Sequence, residues 1–97
     1  MRVLWLRQAR TNLEQEADYI AKHDPAAADR MINTVLDRAN RLAAVPALGR
    51  PGRVPGTREL VVPGTPYILP YRVRRDTVEI LRLFHGARRW PEDMDED

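Results

Sequence analysis

The spacing of apolar residues changes period several times along the chain. Val3, Leu4, Trp5 and Leu6 form a short unbroken apolar run, which predicts a strand over Met1–Leu6. From about Gln8 the period becomes helical, with Ala9, Leu13, Ala17, Ile20 and Ala21 on one side and Arg10, Glu14, Asp18 and Lys22 on another. Thr11-x-x-Glu14 has the form of a capping box, although the helical spacing starts a turn earlier. Asp24-Pro25 marks a second start: Asp24 can accept from free backbone N–H groups, and Pro25 suits a position whose N–H has no partner. A helix from Pro25 to about Val45 would bury Ala28, Met31, Ile32, Val35, Ala39 and Leu42, leave Asp29, Asn33, Asp37 and Arg41 in water, and stop at Pro46. With only His23-Asp24 between them, the two helices must fold back as an antiparallel hairpin.

Residues 46–56 hold six Gly or Pro and predict an irregular loop. Three strand patterns follow, at 58–62, 67–73 and 77–85, joined through Pro63-Gly64-Thr65-Pro66 and Arg74-Arg75-Asp76. Connections this short predict an antiparallel meander. Pro70 has no N–H for a ladder, so a bulge or unpaired stretch is expected there. Val78, Ile80, Leu81, Leu83 and Phe84 serve both faces, as in a mid-sheet strand. The expected fold is α+β, β-α-α-β-β-β, with a helical hairpin packed on a small antiparallel sheet. One domain over 1–91 accounts for it, and the acidic residues 92–97 are expected to be a disordered tail.

Composition narrows the chemistry. At 97 residues and 43% hydrophobic, the chain suits one small core. It has no cysteine, which excludes disulfides, thiolate catalysis and Cys-based zinc sites. No apolar stretch approaches the ~20 residues of a membrane span, and the N-terminal run is too short for a signal peptide, so a cytoplasmic protein without membrane contact is expected. Neither a phosphate loop nor metal-ligand spacing is present, and no cofactor is expected. The net charge of +2 hides an asymmetry: all 16 Lys and Arg lie at or before Arg89, while Glu92, Asp93, Asp95, Glu96 and Asp97 close the chain. Residues 49–91 carry nine Arg against Glu59, Asp76 and Glu79. Such a basic face attracts polyanions. A genome that favours arginine codons explains why Lys22 is the single lysine, but not why the arginines cluster.

Four strings now stand in order around the hairpin. They are Leu48-Gly49-Arg50, Arg58-Glu59-Leu60-Val61-Val62, Tyr67-Ile68-Leu69-Pro70-Tyr71-Arg72-Val73, and Ile80-Leu81-Arg82-Leu83-Phe84-His85-Gly86-Ala87-Arg88-Arg89-Trp90-Pro91. Together with the element order, they resemble the RelE/ParE superfamily of type II toxin–antitoxin toxins over residues 1–91. The resemblance implies one of two activities. Nucleases of the superfamily cut messenger RNA on the ribosome, with an Arg on the third strand, lysines on the second and often a late Tyr; here Ile68, Glu59 and Val61 stand in those places and no Tyr follows Tyr71. The ParE branch, resembled more closely at Arg58, Tyr67–Val73 and His85–Pro91, implies a non-enzymatic poison of DNA gyrase, with growth arrest and plasmid stabilisation as consequences.

The same resemblance implies a ParD-like antitoxin in a hetero-oligomer, wrapped on the hairpin and sheet, with Leu13, Tyr19, Ile20, Arg58 and Arg72 as expected contacts. Arg88, Arg89 and Trp90 are the expected target contacts, nucleic acid being reached only through the target complex. Two alternatives stay open: an endoribonuclease using His85, Arg82 and Arg88, and a degenerate toxin that keeps only antitoxin binding. Alternation places His85 and Arg82 on opposite strand faces, which argues against a shared site. A histidine bonded to backbone at a strand end, arginine stems covering apolar edges, and Trp90-Pro91 folded back onto the core are the corresponding structural readings.

Overall fold

A computed structural model describes residues 1–86. Its first helix, α1 (Arg7–Ala21), follows strand β1 (Arg2–Trp5) directly, and Leu6 at the N-cap offers no side-chain cap. The Thr11/Glu14 pair therefore lies inside the helix, not at its start. Helix α2 (Pro25–Asn40) begins as the sequence predicts: Asp24 Oδ1 accepts from the Ala27 N–H at 3.0 Å, and Pro25 occupies the first turn. It ends earlier than expected. Arg41–Ala43 tighten into a 3₁₀ turn, which keeps Leu42 fully buried while steering the chain away from the helix axis.

The remaining strands are β2 (Arg50–Pro51), β3 (Arg58–Val61), β4 (Tyr67–Arg74), β5 (Thr77–Ile80) and β6 (Phe84–His85). The sheet runs β1-β5-β4-β3-β2, with β6 paired to the start of β4. The expected meander is present, since β3, β4 and β5 pair antiparallel. The sheet as a whole is mixed, because β1 lies parallel to β5, with Val3 opposite Val78 and Trp5 opposite Ile80. The direction of β1 is set by the path of the hairpin, which hydrophobic periodicity does not encode. That path closes where the Met1 ammonium donates to the Ala43 carbonyl at 2.9 Å.

Strand β2 falls in the segment expected to be irregular; only Arg50 and Pro51 pair, with Glu59 and Arg58. The expected single strand over 77–85 is broken instead. Tyr71 pairs with Ile80 and Ile68 with Phe84, so three residues on one side face two on the other. The break lies opposite Pro70, whose carbonyl accepts from the Leu81 N–H at 2.9 Å but which has no donor to return.

One sheet face carries Trp5, Leu60, Leu69, Tyr71, Val78 and Ile80, which pack with Ala9, Ala17, Met31, Val35, Ala39 and Leu42 of the helical side. Tyr71 fastens this core to the segment that leaves α2. Its hydroxyl donates to the Pro46 carbonyl at 2.7 Å and accepts from the Gly49 N–H at 2.8 Å. Gly49 is sterically required there, because a Cβ would stand 2.6 Å from the Tyr71 ring and 2.8 Å from the Glu59 carbonyl oxygen. Arg58 completes the joint by donating to the Gly49 carbonyl at 2.8 Å.

Burial raises the Tyr71 pKa above 10.0, outweighing the Gly49 hydrogen bond and the Arg58 charge, which both favour the phenolate. Above that pH the unfolded phenol loses its proton while the folded one keeps it. The unfolded state then binds fewer protons, and stability must fall as pH rises beyond 10.0. Denaturant unfolding of Tyr71→Phe should show a shallower alkaline loss than the parent chain. It should also lose about 1–3 kcal/mol at neutral pH, because the Gly49 N–H and Pro46 carbonyl lose their partner.

Candidate partner groove and the covered sheet face

Where the far ends of the hairpin approach β4 and β6, they leave an open groove of about 600 Å³. Ile20, Met31 and Tyr67 give it an apolar lining, while Glu16, Arg30 and Thr34 supply polar groups. Tyr19, 63% exposed, also lines it, its ring edge-on to His23 at 6.2 Å. His85 lines the wall near the sheet, edge-on to the Tyr67 ring at 6.1 Å. The neighbouring Gly86 N–H ties this wall to the Pro66 carbonyl at 2.7 Å. Apolar walls with polar groups among them suit the side chains of a bound segment better than a small polar substrate.

On the sheet face away from the helices, Glu59 is only 2% exposed. Its Oε1 accepts from Arg50 Nη2 at 3.1 Å; its Oε2 accepts from the Arg53 backbone N–H at 2.9 Å and faces Arg53 Nε at 3.5 Å. The Arg53 guanidinium sits 5.7 Å from the centre of the Phe84 ring. Residues 50–57 thus form a strap turned at Pro55-Gly56, where Gly56 takes φ +82, and closed by the Gly52 N–H donating to the Thr57 carbonyl at 2.9 Å. From sequence, Glu59 reads as an acid that would repel RNA. In the structure its charge is buried and met by two guanidinium groups.

The residues singled out from sequence do not gather in one place. Tyr19 and Ile20 share the groove, whereas Leu13 packs against the core and does not line the groove. Arg58 is committed to the Gly49 carbonyl, and Arg72 pairs across strands with Glu79 at 2.7 Å. Arg82 is 6% exposed and donates to the Leu81 carbonyl at 2.8 Å, and it does not line the groove that holds His85. Ile68, 8% exposed, pairs with Phe84 and Val61. Arg88, Arg89, Trp90 and the tail 92–97 lie outside the described residues. From sequence Met31 reads only as core and Tyr67 only as strand, and Thr34 is not singled out. The available signal was their helical or strand spacing, which does not say that hairpin and sheet diverge at this end. Among the described residues no cluster of three or more His, Asp or Glu could hold a metal, and no helix is long and apolar enough to cross a membrane.

Residues 3–90 match the model of the ParE toxin of the type II toxin–antitoxin system parDE. The chain belongs to the ParE toxin family. A putative toxin, Y4kP, of Sinorhizobium fredii is 45% identical over 91 residues, covering 94% of each chain. Toxin RelE2 of Caulobacter vibrioides is 36% identical over 86 residues, covering 89% of this chain and 96% of its own length. The solved chromosomal ParDE toxin–antitoxin system of P. aeruginosa superposes with a TM-score of 0.80 at 28% identity, over 88% of this chain and 95% of that one. The fold and the family together make this chain a type II toxin of the RelE/ParE superfamily, in which an antitoxin partner is expected.

Glu59 and its arginines are not equivalent in this ParE-family fold. Arg50 and Arg53 are about half exposed, at 53% and 49%, so either can turn into water when Glu59 is lost. Glu59 cannot. Glu59→Gln should therefore cost about 1–3 kcal/mol, whereas Arg50→Gln/Arg53→Gln, which strands a buried carboxylate, should cost about 3–5 kcal/mol. Urea unfolding of the two variants checks the order, and the reverse ranking would contradict a buried, paired Glu59.

Proposed function

We propose that this toxin poisons DNA gyrase in the cytoplasm and is held inactive by a ParD-like antitoxin, a segment of which fills the groove between hairpin and sheet. The observation that carries the reading is the state of the second sheet face. Cutting RNA at a ribose 2′-hydroxyl needs cations around the phosphate and groups to move protons. At the corresponding places stand Ile68, Val61 and a carboxylate already neutralised by Arg50 and Arg53. A toxin without such a set acts by binding. Arg88, Arg89 and Trp90 are proposed as the gyrase contact, since guanidinium groups beside an indole favour protein interfaces. The antitoxin would seat apolar anchors against Tyr19, Ile20 and Met31, with acidic groups toward the basic surface.

A second reading, RNA cleavage on the ribosome, is favoured by the name of the relative RelE2 and by His85 beside Tyr67. Gyrase with supercoiled plasmid and ATP tests the first reading. The toxin should leave linear DNA once the complex is denatured, and antitoxin should abolish it. Charge reversal at Arg88 and Arg89 should weaken this effect more than antitoxin binding. Tyr19→Ala should do the opposite, weakening antitoxin binding about tenfold or more, as a buried interface tyrosine commonly contributes ~2 kcal/mol. Unchanged plasmid at saturating toxin would defeat the proposal.

A further inference from the structure

At the end of the sheet farthest from His85, a second depression of about 330 Å³ opens on the face away from the helices. Arg2, Leu4, Arg74, Arg75, Thr77 and Glu79 line it. The register explains why they meet: Arg2, Thr77 and Arg74 form one cross-strand row, and Leu4, Glu79 and Arg72 form the next. Glu79 is already engaged, 2.7 Å from Arg72 and 3.8 Å from Arg74. Among the described residues the other acid nearby is Asp76, in the turn itself. The Arg74 side chain remains 60% exposed, and Arg2 and Arg75 are exposed as well.

The turn supplies a second observation. Arg75 and Asp76 take φ of +50 and +65, the left-handed pair of a two-residue hairpin loop. Asn-Gly or Asp-Gly fills such loops with least strain, and a long side chain at the first position is disfavoured. A guanidinium placed where a small residue would fit better is a strain that points toward a contact made by that group.

We infer that Arg2, Arg74 and Arg75 form a contact for the phosphate backbone of duplex DNA. Guanidinium forks match phosphate oxygens, and three in a shallow depression can meet neighbouring phosphates. Among the described residues no aromatic ring lines the depression, so they give it no stacking platform of the kind that single strands use. Leu4 is the one large apolar group among the described residues of the depression, too little to anchor an acidic peptide. The inference rests on the gyrase reading for its purpose: a toxin bound at the cleavage complex would hold DNA as well as enzyme.

Fluorescence anisotropy of the full chain with a labelled DNA duplex, without gyrase, tests the contact directly. Affinity should fall with salt at a logarithmic slope of about −3, as expected for three phosphates. Arg74→Gln/Arg75→Gln should weaken binding about tenfold, and Arg7→Gln/Arg10→Gln, an equal charge loss on α1, only about twofold. Arg75→Asn should weaken binding while leaving Tm unchanged or higher. Equal effects of the two double variants would reduce the site to diffuse charge and overturn the inference. Tighter patch-dependent binding of single-stranded RNA or of an acidic peptide would replace its occupant and also overturn it. Patch-dependent duplex binding without any gyrase effect would sink the gyrase reading alone. A gyrase effect with duplex binding indifferent to Arg74→Gln/Arg75→Gln would sink this inference alone.

Discussion

A carboxylate taken out of water costs several kcal/mol unless its charge and its lone pairs are met. Glu59 is met on both oxygens, by Arg50, by Arg53 and by the Arg53 backbone N–H, and this requirement shapes half of the molecule. The segment that leaves the helical hairpin cannot wander. It must pass Tyr71 closely enough that only glycine fits at position 49, pair briefly with β3, and then turn back so that Arg53 reaches both Glu59 and the ring of Phe84. Tyr71 holds the segment that leads into the strap on the core side of the sheet, and Glu59 holds the strap on the other. Hydrophobic burial alone would leave that path undetermined, because residues 50–57 contribute little to the core.

This arrangement separates three surfaces with different chemistry. The helical side carries the core and, where hairpin and sheet diverge, an apolar groove suited to a bound segment. The middle of the opposite face is covered: Ile68, Pro70 and Phe84 are buried there, and the nearest charge is neutralised. Its far end is cationic and open. A type II toxin must be neutralised by one partner and act on another, and distinct surfaces allow the two interactions to be tuned independently. The family assignment does not require that the target be cut.

Most of the framework is legible in the residues themselves. Asp24-Pro25 announces a helix start, the helical spacing of Ala28 to Leu42 names its buried side, and Pro63-Gly64 and Arg74–Asp76 mark the turns of the meander. Pro70 signals a broken ladder, although the extra residue lies in the strand opposite it. That shift exchanges the faces of the residues that follow, so alternation counted from Ile80 misplaces His85, which comes to the groove. The parallel pairing of β1 and the strap over Glu59 were beyond local patterns, because both depend on where a distant segment returns. Arg58 shows the same limit for the site: exposed in a strand pattern, it is drawn inward by the Gly49 carbonyl, which no spacing rule reveals.

The proposed function requires that this toxin act by binding and not by cutting RNA. Translating ribosomes incubated with the purified chain, followed by primer extension on the messenger, test it most directly. Removing one charge-assisted contact at a developing phosphorane commonly costs about 10²–10³ in rate, and here several such contacts are absent together, although such losses do not simply add. The expected result is a messenger without new codon-phased cuts at any toxin concentration that arrests growth. Robust phased cleavage that disappears in His85→Ala would contradict the account, and would move the active chemistry to the groove beside Tyr67.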